Sequence, residues 1–177
     1  MSQVLTLRPA RTDDQEFFCR LFYSAYLEKL QLVPLSAEEK KTLVEVMYQG
    51  FNRHYNSLTP DSDDRLVLLN NESIGRMILL QMREEIRLAD LGILPQYRGR
   101  GIGSALISQL QTESMMSKRP VRLQVARFDR ALRLYQRLGF YKINAAGPYL
   151  HLEWSKKQQN PPSLRYGATF STLPDAP

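Results

Sequence analysis

The sequence predicts a single domain of the mixed α/β (α+β) class, and three observations predict it. Strand-like and helix-like periodicities alternate along residues 1–154 of the 177-residue chain. Near the middle, an apolar strand runs into a glycine turn that opens an amphipathic helix. Hydrophobic residues make up 43% of the chain, enough for one sizeable core, and no internal repeat divides it. Several classes fall away on composition. There is no run of 18 apolar residues and no charged-then-apolar leader, so neither a membrane span nor secretion is expected. Cys19 is the only cysteine and cannot close an internal disulfide, which makes the cytoplasm the expected compartment. His54 and His151 lack ligand-type neighbours at zinc spacing, so no metal is expected. No G-x-S-x-G turn supports a Ser-His-Asp hydrolase.

Residues 4–8 read as a short first strand. Thr12-x-x-Gln15 then has the form of a capping box, with Asp13 and Asp14 favourable in the first turn. Phe17, Phe18, Leu21, Phe22 and Ala25 follow at helical spacing and read as a packing stripe. Pro34 punctuates, and Ser36-x-x-Glu39 caps a second helix with Leu43, Met47 and Phe51 on one face. Residues 56–64 form a polar loop; 65–70 and 74–82 are strands joined by an Asn-Asn-Glu turn.

In the next strand Ile86 and Leu88 share one face, whereas Leu91 and Ile93 have the opposite phase. A period-2 strand changes phase only through an extra residue, so a β-bulge is expected near Ala89–Asp90. Gly99, Gly101 and Gly103 follow, and Ile102, Ala105, Leu106 and Leu110 mark a buried helix face. Val121, Leu123 and Val125 alternate along another strand. Asp129 can cap a helix carrying Ala131, Leu134, Tyr135 and Leu138, which Gly139 ends in the C′ position. Residues 140–145 and 148–154 supply a closing hairpin through Ala146-Gly147. Residues 155–177, with Lys-Lys-Gln-Gln-Asn-Pro-Pro, read as a flexible tail or docking arm rather than a second domain.

The helix opening at residue 102 presents N–H groups without intrahelical partners, which attract phosphate. A dinucleotide fingerprint fails because Ser104 stands at its third glycine, and a triphosphate loop fails for want of a Gly-Lys pair. What remains is Gln96-x-x-Gly99-x-Gly101 preceded by Ile93-x-Pro95. It is followed at 131–140 by Ala131-x-x-Leu134-Tyr135-x-x-Leu138-Gly139-Phe140. Together these resemble the two hallmarks of the GCN5-related N-acetyltransferase (GNAT) family.

That resemblance covers residues 4–154 in overall order, with the specific motifs confined to 85–140. It implies the acyl-CoA N-acyltransferase fold: a central mixed sheet of 6–7 strands, flanking helices, and a bulge before the phosphate loop. It also implies an enzyme that moves the acetyl group of acetyl-CoA to a primary amine by direct attack in a ternary complex. Cofactor contacts would come from Leu91, Gly92 and Ile93 on the strand and from Arg98, Gly99, Arg100, Gly101, Ile102, Gly103 and Ser104 at the turn. Tyr135 would give a proton to the departing sulfur. For the base, Glu84, Glu85 and Asp90 are the candidates; Asp90, at the bulge, is the choice, directly or through water. The first two helices would wall the acceptor site, where Tyr23, Tyr26, Tyr48 and Tyr55 could contribute. Two positions depart from the family pattern: Phe128 stands where many members carry asparagine, and Ala89-Asp90 where many carry Glu-Asp.

Net charge is +6, and residues 96–142 alone carry +8. The charge therefore gathers where coenzyme A phosphates would lie, with Arg98 and Arg100 facing the pyrophosphate and Arg127, Arg130 or Arg133 the adenosine phosphate. Two other classes compete. One is an acetyl-CoA-binding regulatory module without turnover; the other is a basic nucleic-acid adaptor, which lacks interleaved exposed aromatics. The acceptor stays open among polyamine, antibiotic, amino acid, peptide N-terminus and protein lysine. A homodimer is common among similar proteins.

Overall fold

A first strand, β1 (Leu5–Pro9), passes through a short 3-10 turn (Thr12–Asp14) into helices α1 (Gln15–Lys29) and α2 (Ala37–Ser57). Strands β2 (Ser62–Leu69), β3 (Glu72–Gln81) and β4 (Ile86–Ile93) follow, then a second 3-10 turn (Pro95–Tyr97) and helix α3 (Ile102–Ser117). The chain closes with β5 (Val121–Ala126), α4 (Ala131–Arg137), β6 (Tyr141–Ala146) and β7 (Tyr149–Trp154). This computed structural model describes residues 4–57 and 62–156; the expected tail, apart from its first two residues, lies outside them. The seven strands form one mixed sheet in the order β1-β2-β3-β4-β5-β7-β6, in which only β4 and β5 run parallel. Among the described residues no helix is long and apolar enough to cross a membrane.

Local chemistry sets most of the boundaries. The Ser36/Glu39 capping box forms as expected: Ser36 N–H donates to Glu39 Oε2 at 2.7 Å and Glu39 N–H to Ser36 Oγ at 3.2 Å. The expected Thr12/Gln15 box does not appear. Asp14 instead accepts the Arg11 N–H at 2.7 Å and both arms of the Arg8 guanidinium at 2.7 Å, so α1 begins one turn later, at Gln15. The Arg8 bond holds the Asp14 carboxyl below its ordinary range. On α2 the inward seam passes through fully buried Val44 and through Tyr48 and Phe51, not through Leu43, which is 38% exposed. The seam is fixed by α1, whose Phe22 ring lies 5.3 Å from Tyr48 and 5.2 Å from Phe51. Strand β2 starts at Ser62, inside the expected loop. Its early residues are recruited by ion pairs: Arg65 sits between Asp63 and Glu113, and Asp64 holds Arg76. Asn70 and Asn71 close the β2–β3 hairpin with φ of 50° and 67°, the conformation that a two-residue turn requires.

The bulge falls where the phase change placed it. Ile78 pairs with Asp90 but Leu79 pairs with Leu88, leaving Ala89 as the extra residue of β4. Its effect is to put Ile86, Leu88, Leu91 and Ile93 together against the larger core, which Leu106, Ile107 and Leu110 of α3 fill. Gly92 faces the other way, toward Leu21 of α1 and the smaller core of Phe17, Phe18, Leu21 and Leu66. β4 and β5 pair at only three positions, Ile86 with Val121 through Leu88 with Leu123, and then part. Beyond that point β4 stays with β3, and β5 stays with β7. Gly75 keeps β3 tight against the departing strand: a Cβ there would lie 2.4 Å from the Gly92 carbonyl oxygen.

Candidate active site

Where β4 and β5 part, a cavity of about 1190 Å³ opens through the sheet. One end is walled by Phe18, Phe22 and Tyr26 of α1, Phe51 of α2, Arg76 of β3 and Asp90 of β4. The other is walled by Gly99 and Gly101, the start of α3, and Arg130, Arg133, Tyr135 and Arg137 at α4. Leu91, Gly92 and Ile93 run between the two ends.

The glycine turn leaves its backbone open to contact. Gly99 and Gly101 have φ of +75° and +80°, the left-handed region, and nothing lies within 4 Å of a Cβ at either. The first intrahelical bond of α3 runs from Ala105 N–H to the Gly101 carbonyl at 3.0 Å, so the N–H groups of Ile102, Gly103 and Ser104 have no partner within the helix. Gly103 also lets α4 approach, since a Cβ there would lie 3.3 Å from Leu134 Cδ2. Arg137 Nη2 donates to Ser104 Oγ at 3.2 Å, bringing a guanidinium to the same helix end. These groups could hold a pyrophosphate.

The expected arginines divide, with Arg98 on the cavity and Arg100 and Arg127 off it. Arg98 lines the cavity but is engaged: Nη1 meets Glu28 Oε2 at 2.6 Å and Nε donates to the Ile93 carbonyl at 2.9 Å, tying α1 to β4. Arg100 is not part of the lining; its guanidinium lies 5.3 Å from the centre of the Tyr97 ring. Arg127 donates to the Gly147 carbonyl at 3.2 Å and also stands off the cavity, whereas Arg137, absent from the sequence expectations, lines it.

Asp90 and Tyr135 face the same space. Desolvation pushes the Asp90 carboxyl up to about 6, aided by the charge of Asp64 and opposed by Arg76 and Lys29. No salt bridge reaches Asp90 among the described residues. Tyr135 is buried, and its phenol is pushed well up, first by burial and then by the charges of Asp90 and Asp129. It stays a neutral donor at any working pH. The ends of α4 fix its place: Asp129 Oδ1 accepts the Ala131 N–H at 2.8 Å, and Gly139 at φ 85° lets Phe140 N–H return to the Tyr135 carbonyl at 3.0 Å. The Phe140 ring packs edge-on at 5.6 Å.

The two glutamates do not line the cavity. Glu85 is buried between Arg87 and Arg122, each at 2.6 Å, and Glu84 is exposed in the turn before β4. Both are roughly 15 Å from Asp90 along the strand. Of the four tyrosines, Tyr26 lines the cavity and stacks on Phe22 at 4.2 Å. Tyr48 packs behind Phe22, and Tyr23 lines a separate pocket of about 310 Å³ with Cys19 and Leu27. The Tyr55 side chain lies outside the described residues. Phe128 stands at the mouth, 99% exposed. Among the described residues, no His, Cys, Asp and Glu cluster could hold a metal ion.

The residue that sequence reasoning passed over is Arg76, only 6% exposed. Its Nε and Nη2 donate to Asp64 at 2.9 and 2.5 Å, and its guanidinium lies 4.3 Å from the Phe18 ring centre and 5.7 Å from that of Phe51. The signal was a lone charge inside an otherwise apolar run, residues 74–80.

The split in the sheet thus lies between a glycine turn that opens a helix and a buried tyrosine. Residues 62–142 match the family model described as an acetyltransferase (GNAT) domain. Comparison with curated proteins finds no match. The PaiA N-acetyltransferase of Thermoplasma acidophilum, solved with coenzyme A, is 18% identical with a TM-score of 0.65, over 86% of this chain and 99% of that one. The ribosomal-protein-S18-alanine N-acetyltransferase of Escherichia coli is 17% identical with a TM-score of 0.61, over 86% and 94%. A GNAT acetyltransferase of Elizabethkingia anophelis with acetyl-CoA bound is 15% identical with a TM-score of 0.56, over 85% and 97%. The segment 62–142 thus matches a GNAT acetyltransferase domain, and the fold is the one that GNAT acetyltransferases share.

Proposed function

We propose that the protein transfers the acetyl group of acetyl-CoA to a primary amine by direct attack in a ternary complex. The observation that carries this reading is the placement of Asp90 and Tyr135 in one cavity, beside the open N-terminus of α3. The residues fit the donor. Open space over Gly99 and Gly101, partnerless amides at 102–104 and the arginines of α4 suit a pyrophosphate and a further phosphate. When bound, acetyl-CoA supplies an acetyl group activated as a thioester.

The chain supplies position and proton traffic. Holding both reactants in one slot removes much of the entropic barrier. A lysine-like amine arrives as a cation with a pKa near 10.4. Asp90, ionised above about 6, attracts that cation and takes its proton directly or through water. Backbone N–H groups near Gly92 and Ile93 donate to the oxygen on which charge develops. Tyr135, kept neutral by burial, donates to the sulfur as it leaves. Calorimetric titration with acetyl-CoA, followed by thiol release across an amine panel, tests the reading. The expected result is saturable binding and amine-dependent release. Binding without release by any amine favours the second reading, an acetyl-CoA-binding module without turnover, to which exposed Phe128 and the absent glutamate at Ala89 point.

A further inference from the structure

The acceptor end of the cavity holds matched charges with two gaps in the match. Asp64 occupies Nε and Nη2 of Arg76, but Nη1 has no hydrogen-bond partner among the described residues. That donor belongs to a side chain 7% exposed, and the aromatic faces of Phe18 and Phe51 lie against its guanidinium. Nη1 is not among the fully buried polar atoms of the described residues, so it keeps access to the cavity, where an acceptor atom can meet it. Asp90 is the converse, a carboxylate without a salt bridge among the described residues. The strand register puts both on one face of the sheet: Arg76 pairs with Gly92, and Asp90 lies two residues before Gly92. Diagonal neighbours of that kind have Cα atoms roughly 7–8 Å apart.

Resting on the acetyl-transfer reading above, we infer that the acceptor is an amino acid with an apolar side chain. Its α-ammonium meets Asp90, and its carboxylate meets Arg76 Nη1. The side chain lies against the stacked rings of Phe22 and Tyr26. A polyamine fits poorly, because its further cations meet Arg76 and Lys29, while the lining carboxylate Glu28 is already held by Arg98. In the transfer, the amine nitrogen bonds to the acetyl carbon as the carbon–sulfur bond breaks. Two protons leave nitrogen: one reaches water through Asp90, and the other replaces the proton that Tyr135 gives to sulfur. The products are an N-acetylamino acid and the coenzyme A thiol.

The test compares phenylalanine and leucine with their carboxamides, their decarboxylated amines, and spermidine. Each amino acid is expected to exceed its decarboxylated amine in kcat/KM by about ten- to a hundredfold, expressed in KM, as for one charged hydrogen bond. Because Arg76→Gln alone strands Asp64 and can misfold, the variant is Arg76→Gln with Asp64→Asn, which keeps size and neutrality. In it the preference should shrink to within about threefold. Calorimetric binding of the same compounds to the coenzyme A-saturated protein gives a readout that needs no turnover. Amino-acid binding there without thiol release defeats the transfer reaction and upholds the Arg76 contact. Equal or better use or binding of the decarboxylated amines or spermidine, a preference that survives in the double variant, or no binding at all overturns the inference.

Discussion

Two carboxylates flank the bulge of β4, buried Glu85 just before the strand and half-buried Asp90 just past the extra residue, and the strand uses them in opposite ways. At the start Glu85 is gripped by Arg87 and Arg122, and Arg122 reaches on to Glu153 at 2.7 Å, knitting β4, β5 and β7 together. At the end, past the bulge, Asp90 looks into a cavity. The nearby guanidinium of Arg76 is already committed to Asp64. A desolvated charge that has been matched becomes part of the framework, whereas one left unmatched moves its protonation toward the neutral range, where proton transfer is useful. The same strand holds both because it loses its neighbour halfway along.

Substitutions can break or sharpen that contrast. The largest effect is expected from Tyr135→Phe, which keeps the ring against Phe140 and removes the donor. Under chemistry-limited conditions kcat should fall by about 100- to 10,000-fold, with acetyl-CoA affinity nearly unchanged in calorimetry. A rate within about threefold of wild type would make Tyr135 a packing residue.

Asp90→Asn should lower the rate by about 100-fold. The wild-type rate should climb as pH rises through about 6, where Asp90 loses its proton, and then level off; the variant should lack that limb. Loss of acetyl-CoA binding with intact amine kinetics would move Asp90 to the donor side.

Gly101→Asp sets a carboxylate beside the proposed phosphate site and should weaken acetyl-CoA binding by at least about tenfold. Circular dichroism must show the fold intact for that comparison. Unchanged affinity would remove the turn from the donor site.

The smallest effects have opposite signs at the two carboxylates. Glu85→Gln should lower unfolding free energy by about 1–2 kcal/mol in urea, because Arg87 and Arg122 are half-exposed and can rehydrate; kcat and its pH profile should survive. Asp90→Asn should do the reverse. The folded carboxyl lies at about 6, above its ordinary 3.8, so its contribution is complete below about 3.8 and lost as pH rises through 6. At pH 8 the wild-type protein therefore carries an unfavourable buried charge, and the asparagine variant should be more stable by about 1–2 kcal/mol, with no gain at pH 4. Equal stabilities at pH 8 would mean that Asp90 is better solvated than its surroundings suggest.

Much of this was legible in the residues because it is local. The bulge announced itself as a phase change between Leu88 and Leu91, and the glycine turn and the caps of α2 and α4 follow from three or four adjacent side chains. The face of α2 was misread by one position. Leu43 and Val44 both suit a stripe, and the choice depends on where Phe22 of another helix stands. Arg98 neighbours the turn and lines the cavity, but its ion pair with Glu28, 70 positions earlier, is a long-range contact that no adjacent residue announces. Arg76 escaped for a related reason. Its counter-charge is Asp64, across a hairpin and inside what read as a loop, so nothing near it in sequence explained a buried guanidinium.

The extra residue in β4 also decides which kinds of change the gene can tolerate. Ala89 supplies the extra position on which the bend depends. Removing it would restore period-2 alternation with Asp90 still on the face of Gly92 and with Leu91 and Ile93 still on the core face, so what would be lost is the bend itself. Restored register would also favour continued pairing with β5 and close the cavity. Between Ile86 and Ile93 length therefore matters as much as spelling: a descendant that skips residue 89 loses the bend that opens the site.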